Sequence, residues 1–480
     1  MEMRLPEDVA YIIKTLEHAG FEAYAVGGCV RDTLLGRQPQ DWDITTSAKP
    51  MQVKALFRRT IDTGLQHGTV TVLLHHVGYE VTTYRIDGEY KDNRHPESVE
   101  FTEKLIYDLE RRDFTINAMA YNPGRGLVDE FDGVGDMERK IIRCVGNPGA
   151  RFDEDALRML RAVRFSGQLG FSIEENTRQA IVERAERLKN ISAERIRVEL
   201  TKLLTAKDAG QLREAHHLGM TAVFLPELDR MMKTEQKNPH HIYTVGEHSV
   251  HGIEVMNFFF GNYGGKWKID FVPPEILEET AKLTEEMGKK EHLLLCLAML
   301  FHDIGKPESM TVDEKGVGHF YGHPQASERL TGQIMRRLTF DNDSIHMVKR
   351  LVRWHDYRFG QNEKAMRRAM AKIGKDLIPL LFLVRFSDIF AQNPDTFGEK
   401  LDRVTESIAL WRRVQEKCPA LQIRDLAVDG NDLIKLGIRP GPELGGILQE
   451  LLEMVLDTPE KNQADILLGY ARSHYLGTVK

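Results

Sequence analysis

Asp41 and Asp43 stand two positions apart in "DWDI", shortly after the glycine pair Gly27-Gly28 in "YAVGGCVRDTLLG". Side chains alternate faces along an extended segment, so Asp41 and Asp43 project to one side and Trp42 to the other. Adjacent carboxylates repel unless a cation lies between them, and hard oxygen donors suit Mg²⁺. A bare pair of this kind is more often a solvated turn, but the glycines change that reading. At a strand-to-helix turn they let backbone N–H groups approach a polyphosphate, and a helix N-terminus favours anions. Arg31, on the first turn of that helix, adds a charge-assisted donor. The chemistry predicted is a metal-assisted reaction at a polyphosphate. Glu80, on "YEVTTY", is the candidate third acid; its bland reading is a sheet-edge glutamate.

A helix predicted over residues 154–167 carries Asp155, Arg158, Arg161 and Arg164 at three-residue spacing. Such a row drifts by roughly 60° per step, so Asp155 and Arg158 overlook one site while Arg164 swings away. The bland reading is a set of solvent-facing ion pairs. The functional one is base selection: a carboxylate accepts from the exocyclic amine that cytosine and adenine have and uracil lacks, while Arg158 donates to the ring atom beside it. A uracil or guanine would then face donor with donor or acceptor with acceptor, at roughly 1–3 kcal/mol for each mismatch.

Residues 248–392 hold a separate series: His248, the adjacent pair His302-Asp303 with Lys306 after it, His323, His355 and Asp388. A lone histidine on an apolar helix is usually a satisfied core residue. An ordered set of imidazoles and carboxylates suits a divalent transition metal and activation of a bound water.

The elements that must position these residues are legible in outline. Val9, Ile12, Ile13 and Leu16 form one stripe of a helix over 6–20; "FEAYAV", "DWDI", "TVTVLL" and "YEVTTY" read as strands; and beyond about residue 150 the pattern is helical almost to the end. The class predicted is α+β, a small mixed head on a long helical region. With 480 residues, 41% hydrophobic and 29% charged, several cores can be built. "MEMRLPEDVAYIIK" lacks the basic-then-apolar pattern of a signal peptide, no apolar run is long enough to span a bilayer, and Cys29, Cys144, Cys296 and Cys418 have no disulfide-like spacing; a cytoplasmic protein is expected. The net charge of −7 argues against non-specific coating of nucleic acid, although residues 139–202 hold 14 basic against 9 acidic side chains.

"GGCVRDTLLGR…DWDI" resembles the signature of the nucleotidyltransferase superfamily that includes CCA-adding enzymes of the bacterial type (class II) and bacterial poly(A) polymerases. Further resemblances follow in order: "RIDGEYKDNRHPESVEF" to the flexible loop (with Arg85, Asp92 and Arg94), "RRDFTINAMAY" and "DEFDGVGDM" to the second and third motifs, "RFDEDALRMLRAVRF" to the nucleotide-selecting helix and "ISAERIRVEL" to the last. The resemblance implies transfer of nucleotides from CTP and ATP to the 3′ end of tRNA. It implies that Asp41 and Asp43 hold Mg²⁺, that Gly27, Gly28 and Arg31 bind the triphosphate, and that Arg112, Asp155, Arg158, Arg161 and Arg164 contact the nucleotide.

"DTGLQHGTVTVLL" and the intact flexible-loop match favour CCA addition over the poly(A) polymerases and the CC-adding enzymes. "RDLAVDGNDLIKLGIRPGPELGGILQELL" is similar to a tail that grips the tRNA elbow, although residues 401–480 carry 10 basic and 12 acidic side chains. The histidine series resembles the HD superfamily of metal phosphohydrolases, whose minimal ligand set His248, His302, Asp303 and Asp388 match; His323 and His355 are candidates for a second metal. That resemblance implies a divalent transition metal and hydrolysis of phosphoesters, or of 2′,3′-cyclic phosphate, at RNA ends. The organisation expected is a catalytic head (1–150), a neck with the selecting helix (151–215), a body with the HD site (216–400) and a tRNA-binding tail (401–480). The rival readings are a poly(A) polymerase, a CC-adding enzyme, an HD phosphohydrolase whose head only binds RNA ends, and a non-catalytic RNA-binding protein. Oligomeric state is not legible.

Overall fold

The computed structural model describes residues 3–88, 99–238, 241–417 and 420–476. Contacts divide the chain into two compact units, one of Met1–Asp229 with short pieces at Tyr263–Trp267 and Arg337–Thr339, the other of the remainder.

The first unit is built on a seven-stranded mixed sheet. Its order is Thr60–Gly64, Thr69–Leu74, Val77–Thr83, Ile44–Thr46, Ala23–Val26, Ala120–Asn122 and Gly126–Val128. Only Ile44–Thr46 against Val77–Thr83 is parallel, with Ile44 opposite Val81; the other pairs are antiparallel. The helix Glu7–His18 buries Val9, Ile12, Ile13 and Leu16, the stripe its periodicity predicts. A fully buried side chain of this size contributes about 1.5–3 kcal/mol, so these four fix the helix against the sheet. "DWDI" is a strand only from Ile44: Asp41 and Asp43 lie on the segment leading into it. Asp43 is nonetheless held in line with the sheet, because its carbonyl accepts from the Val26 N–H at 3.0 Å. The helix predicted over 154–167 is two helices, Pro148–Glu154 and Leu157–Leu169, interrupted at Asp155, whose backbone is extended (φ −142°, ψ 102°).

The second unit is almost wholly helical. The helix Lys289–Phe301 buries nearly every residue from His292 on, and Val245–Phe259 and Ile378–Phe390 are buried on most faces. Near the C-terminus a smaller core gathers Val428, Leu433, Ile447, Leu451, Val455, Leu467 and Ala471. No helix among the described residues is long and apolar enough to cross a membrane.

Candidate active site and a second metal-ligating cluster

Gly27 ends the strand Ala23–Val26 and precedes the helix Gly28–Leu34. Its backbone (φ 83°, ψ −128°) is one that side chains rarely adopt, and a Cβ there would lie 2.8 Å from Arg112 Nη1. The turn therefore needs glycine both for its own conformation and for the guanidinium packed over it. We expect Gly27→Ala to cost about 1–3 kcal/mol of stability, read by thermal melting, and to raise the KM for CTP roughly tenfold. An unchanged KM would show that the turn does not touch the nucleotide.

Arg31 is buried, with its Nη1 donating to Asn117 Oδ1 at 2.6 Å and its Nε to Asp32 at 2.9 Å. Asn117 passes the connection on: its Nδ2 donates to Asp113 Oδ1 at 3.0 Å, and Asp113 Oδ2 receives Arg161 Nε at 2.8 Å. Asp113 is buried, and burial alone would favour its neutral form. Arg161 and the Asn117 bond outweigh that and hold it well below the usual carboxylate range. The Arg31, Arg161 and Arg164 guanidiniums also surround the Phe165 ring, at 4.9, 5.4 and 3.8 Å from its centroid. Head and selecting helix are thus joined by one polar network around an aromatic ring.

Asp41, Asp43 and Glu80 lie close enough to affect one another's ionisation. In the parallel register Asp43 precedes Ile44 as Glu80 precedes Val81, which places the two carboxylates at neighbouring strands. Partial burial raises the Asp43 pKa, Arg112 opposes it, and Asp41 raises it further. Glu80 is raised by partial burial, then by Asp43 and Asp41. Carboxylates that destabilise one another's charge suit a shared divalent cation, and this all-oxygen donor set suits a hard one. Arg112 lies at the same site, its Nη2 3.5 Å from Asp108 and its buried Nε without a partner, an unused donor beside the glycine turn.

Asp155 and Arg158 do not lie on one continuous helix face. Asp155 is gripped by Arg195, Nη1 to Oδ1 at 3.2 Å and Nη2 to Oδ2 at 2.7 Å, and Arg158 donates to Glu154, Arg151 and Arg111. Arg164 is buried against Glu199 (2.6 Å) and Gln168 (2.7 Å). Arg161 and Arg164 are thus each paired with a carboxylate from another element. Asp113, Asn117, Phe165, Glu199 and Arg195 were missed by sequence reasoning; all act through contacts distant in sequence. The strand pair expected in "DTGLQHGTVTVLL" is present, and Arg85 begins the strand Arg85–Asp87. Asp92 and Arg94 lie outside the described residues.

A glycine turn and a carboxylate trio at the central strands of a small mixed sheet, followed by an arginine-rich selecting helix, define a nucleotidyltransferase. Family models match accordingly: the poly A polymerase head domain over residues 23–143, the "Probable RNA and SrmB- binding site of polymerase A" over 170–232, and tRNA nucleotidyltransferase domain 2 over 323–471. The CCA-adding enzyme of Limosilactobacillus reuteri is 32% identical over 461 residues, spanning 95% of this chain and 94% of its own. That of Levilactobacillus brevis is 32% identical over 470 residues, 97% of this chain and 98% of its own. The crystal structure of the Bacillus stearothermophilus CCA-adding enzyme in complex with CTP superposes with a TM-score of 0.66 at 27% identity, covering 98% of this chain and 97% of that one. The chain belongs to the CCA-adding enzyme family. Enzymes of this family use a divalent metal.

The second unit brings its histidine series together. His248 comes from the helix Val245–Phe259, His302 and Asp303 follow Lys289–Phe301, His323 opens His323–Arg337, His355 follows Asn342–Trp354, and Asp388 lies in Ile378–Phe390. Ligand atoms of His248, His302 and Asp388 lie within 4.8 Å of one another, as do those of Asp303, His323 and His355. Asp303 faces both groups: Oδ2 is 3.3 Å from His302 Nε2 and 3.6 Å from His248 Nε2, while Oδ1 is 3.3 Å from His323 Nε2 and 3.7 Å from His355 Nε2.

The Nδ1 atom of every one of these rings faces a backbone carbonyl: His248 to Ala391 (3.1 Å), His302 to Met299 (2.8 Å), His323 to Phe320 (2.8 Å) and His355 to Val352 (2.7 Å). With each Nδ1 set against a carbonyl, the four Nε2 atoms face the interior of the cluster, those of His248 and His302 3.1 Å apart. Such an arrangement could hold a divalent cation. Two ligand atoms each about 2.1 Å from one ion are about 3.4 Å apart, close to these spacings.

The electrostatics agree. Burial opposes charge on His302, but Asp303 and Asp388 overcome it and lift its pKa to about 10, so the cluster favours positive charge. Burial, together with the positive charge at His302, lowers that of His355 to about 3, leaving a neutral ligand. Lys306 closes one side, 2.6 Å from Asp303 and donating to Gln236 at 2.8 Å.

Proposed function

We propose that the chain extends the 3′ end of tRNA with C, C and A from CTP and ATP, releasing pyrophosphate. The observation that carries this reading is the presence, in one compact unit, of a glycine turn backed by Arg31 and Arg112, a carboxylate trio, and a carboxylate–guanidinium pair for the base. The Gly27 turn and Arg112 receive the triphosphate. Asp155 and Arg158 accept cytosine or adenine by hydrogen-bond pattern. The RNA 3′-hydroxyl attacks the α-phosphate, and pyrophosphate leaves. Asp41 and Asp43 would hold Mg²⁺, which lowers the hydroxyl's pKa and offsets phosphate charge when bound. These substrates place the work in the cytoplasm, and the last 80 residues (401–480) are assigned to holding the tRNA. A tRNA already ending in CC, offered ATP alone, should gain one A and stop. A long A tail would make the chain a poly(A) polymerase.

The inward-facing Nε2 atoms favour a second reading for the other unit: an HD-type centre in which His248, His302, Asp303 and Asp388 would hold a divalent transition metal and His323 and His355 a second one, supplying an activated water when bound. A cavity of about 1130 Å³ opens beside Asp388, with Tyr357 and Phe359 on one wall and Arg385 and Lys400 among its cations. Its size and lining suit a phosphoester of a nucleotide, such as an RNA end. After chelation, Mg²⁺ alone should restore nucleotide addition, whereas water opening of a terminal 2′,3′-cyclic phosphate to a monophosphate on the RNA should return only with a transition metal. Absence of hydrolysis with every metal would leave the cluster a structural one.

A further inference from the structure

Resting on the reading of Asp155 and Arg158 as the pair that meets the base, we propose that Arg195 determines nucleotide choice by fixing Asp155 so that the carboxylate offers the base a single acceptor. An ionised carboxylate has two lone pairs on each oxygen. Asp155 Oδ1 receives the Leu157 N–H at 3.1 Å and Arg195 Nη1 at 3.2 Å, so both of its sites are used. Oδ2 receives Arg195 Nη2 at 2.7 Å and retains one. The two parallel bonds of the fork also set the plane of the carboxylate, which a single point contact would leave free to rotate.

Arg158 is constrained in a complementary way. Nη1 donates to Glu154 Oε2 at 2.6 Å and to the Arg151 carbonyl at 3.3 Å, and Nη2 to the Arg111 carbonyl at 3.0 Å. Its Nε hydrogen and one Nη2 hydrogen are left to donate. One acceptor beside guanidinium donors is the complement of cytosine (N4–H₂ beside N3) and of adenine (N6–H₂ beside N1). Uracil presents O4 and N3–H, the reverse at both positions.

The extended backbone at Asp155 makes the grip necessary. Because the helix is interrupted there, a single backbone N–H, that of Leu157, reaches the carboxylate from the helix that follows. Arg195 stands on a different helix, Ala193–Leu204, and supplies the missing constraint. It reaches the base only through Asp155 and is a positioning residue.

The test is the ratio of kcat/KM for CTP to that for UTP, on tRNA lacking its CCA, for the full chain and for R195A, R195K and R195Q. The ratio does not depend on the fraction of enzyme folded, which separates specificity from stability. R195A and R195Q should lower it by about tenfold or more. R195K, which keeps the charge but not the fork, should recover only part. If R195A does not fold, R195K and R195Q decide. A ratio within about twofold of the parent's in every variant that folds would overturn the proposal, even if kcat falls, since Arg195 would then be a packing residue only.

Discussion

Replacing Asp41 and Asp43 together by asparagine is expected to lower incorporation of labelled CTP by roughly 10³-fold or more. The side chains keep their volume and hydrogen-bonding reach, so what is removed is charge at the site where Glu80 lies beside Asp43 in register. Loss of several kcal/mol of transition-state charge stabilisation corresponds to that rate factor. The substitution relieves repulsion, because Asp43 and Asp41 each raise the Glu80 pKa. The variant should therefore melt no lower than the parent while losing the reaction. A stable variant retaining more than about a tenth of the activity would contradict the assignment of these carboxylates. Hydrolysis by the other unit should survive.

The second large effect concerns Asp303. Among the described residues Asp303 is the carboxylate that faces both groups, so its replacement should cost more bound metal than loss of one histidine. Elemental analysis should show about full loss of bound metal for Asp303→Asn, and about half for His302→Ala or His323→Ala. Nucleotide addition should be unchanged in all three. Asp303→Asn also leaves the Lys306 ammonium without the carboxylate now 2.6 Å away. Truncating one member of such a buried pair costs about 3–5 kcal/mol, so the melting temperature of this variant should fall furthest. Equal metal loss in all three variants would mean one ion, not a pair.

Much of this site was legible before any coordinates. Gly27 could be read as a positive-φ turn from its place between an apolar strand and a helix, and the stripe of Val9, Ile12, Ile13 and Leu16 from its period. The order of histidines and aspartates marked the second cluster. What was not legible is non-local or carried by the backbone. "RFDEDALRML" contains no glycine or proline, so nothing in it announces the interruption at Asp155. The grip of Arg195 spans 40 positions. The family resemblance implies nucleotide contacts for Arg161 and Arg164, but nothing in the spacing shows that Asp113 and Glu199 pair with them across helices. The carbonyls that fix each imidazole leave no trace in side-chain identity. Asp41 and Asp43 were placed on a strand because "DWDI" alternates, but pairing begins at Ile44; Asp43 keeps its alignment through one bond to Val26.

The central claim is that one head adds C, C and A in order. It is tested most directly by incubating tRNA that lacks its 3′ CCA with Mg²⁺ and labelled CTP and ATP, separately and together, and sequencing the ends. With both nucleotides the product should be tRNA extended by C, C and A and no further; CTP alone should give C additions only, and ATP alone almost none. Long A tails from ATP alone, or no incorporation under any condition, would contradict the account.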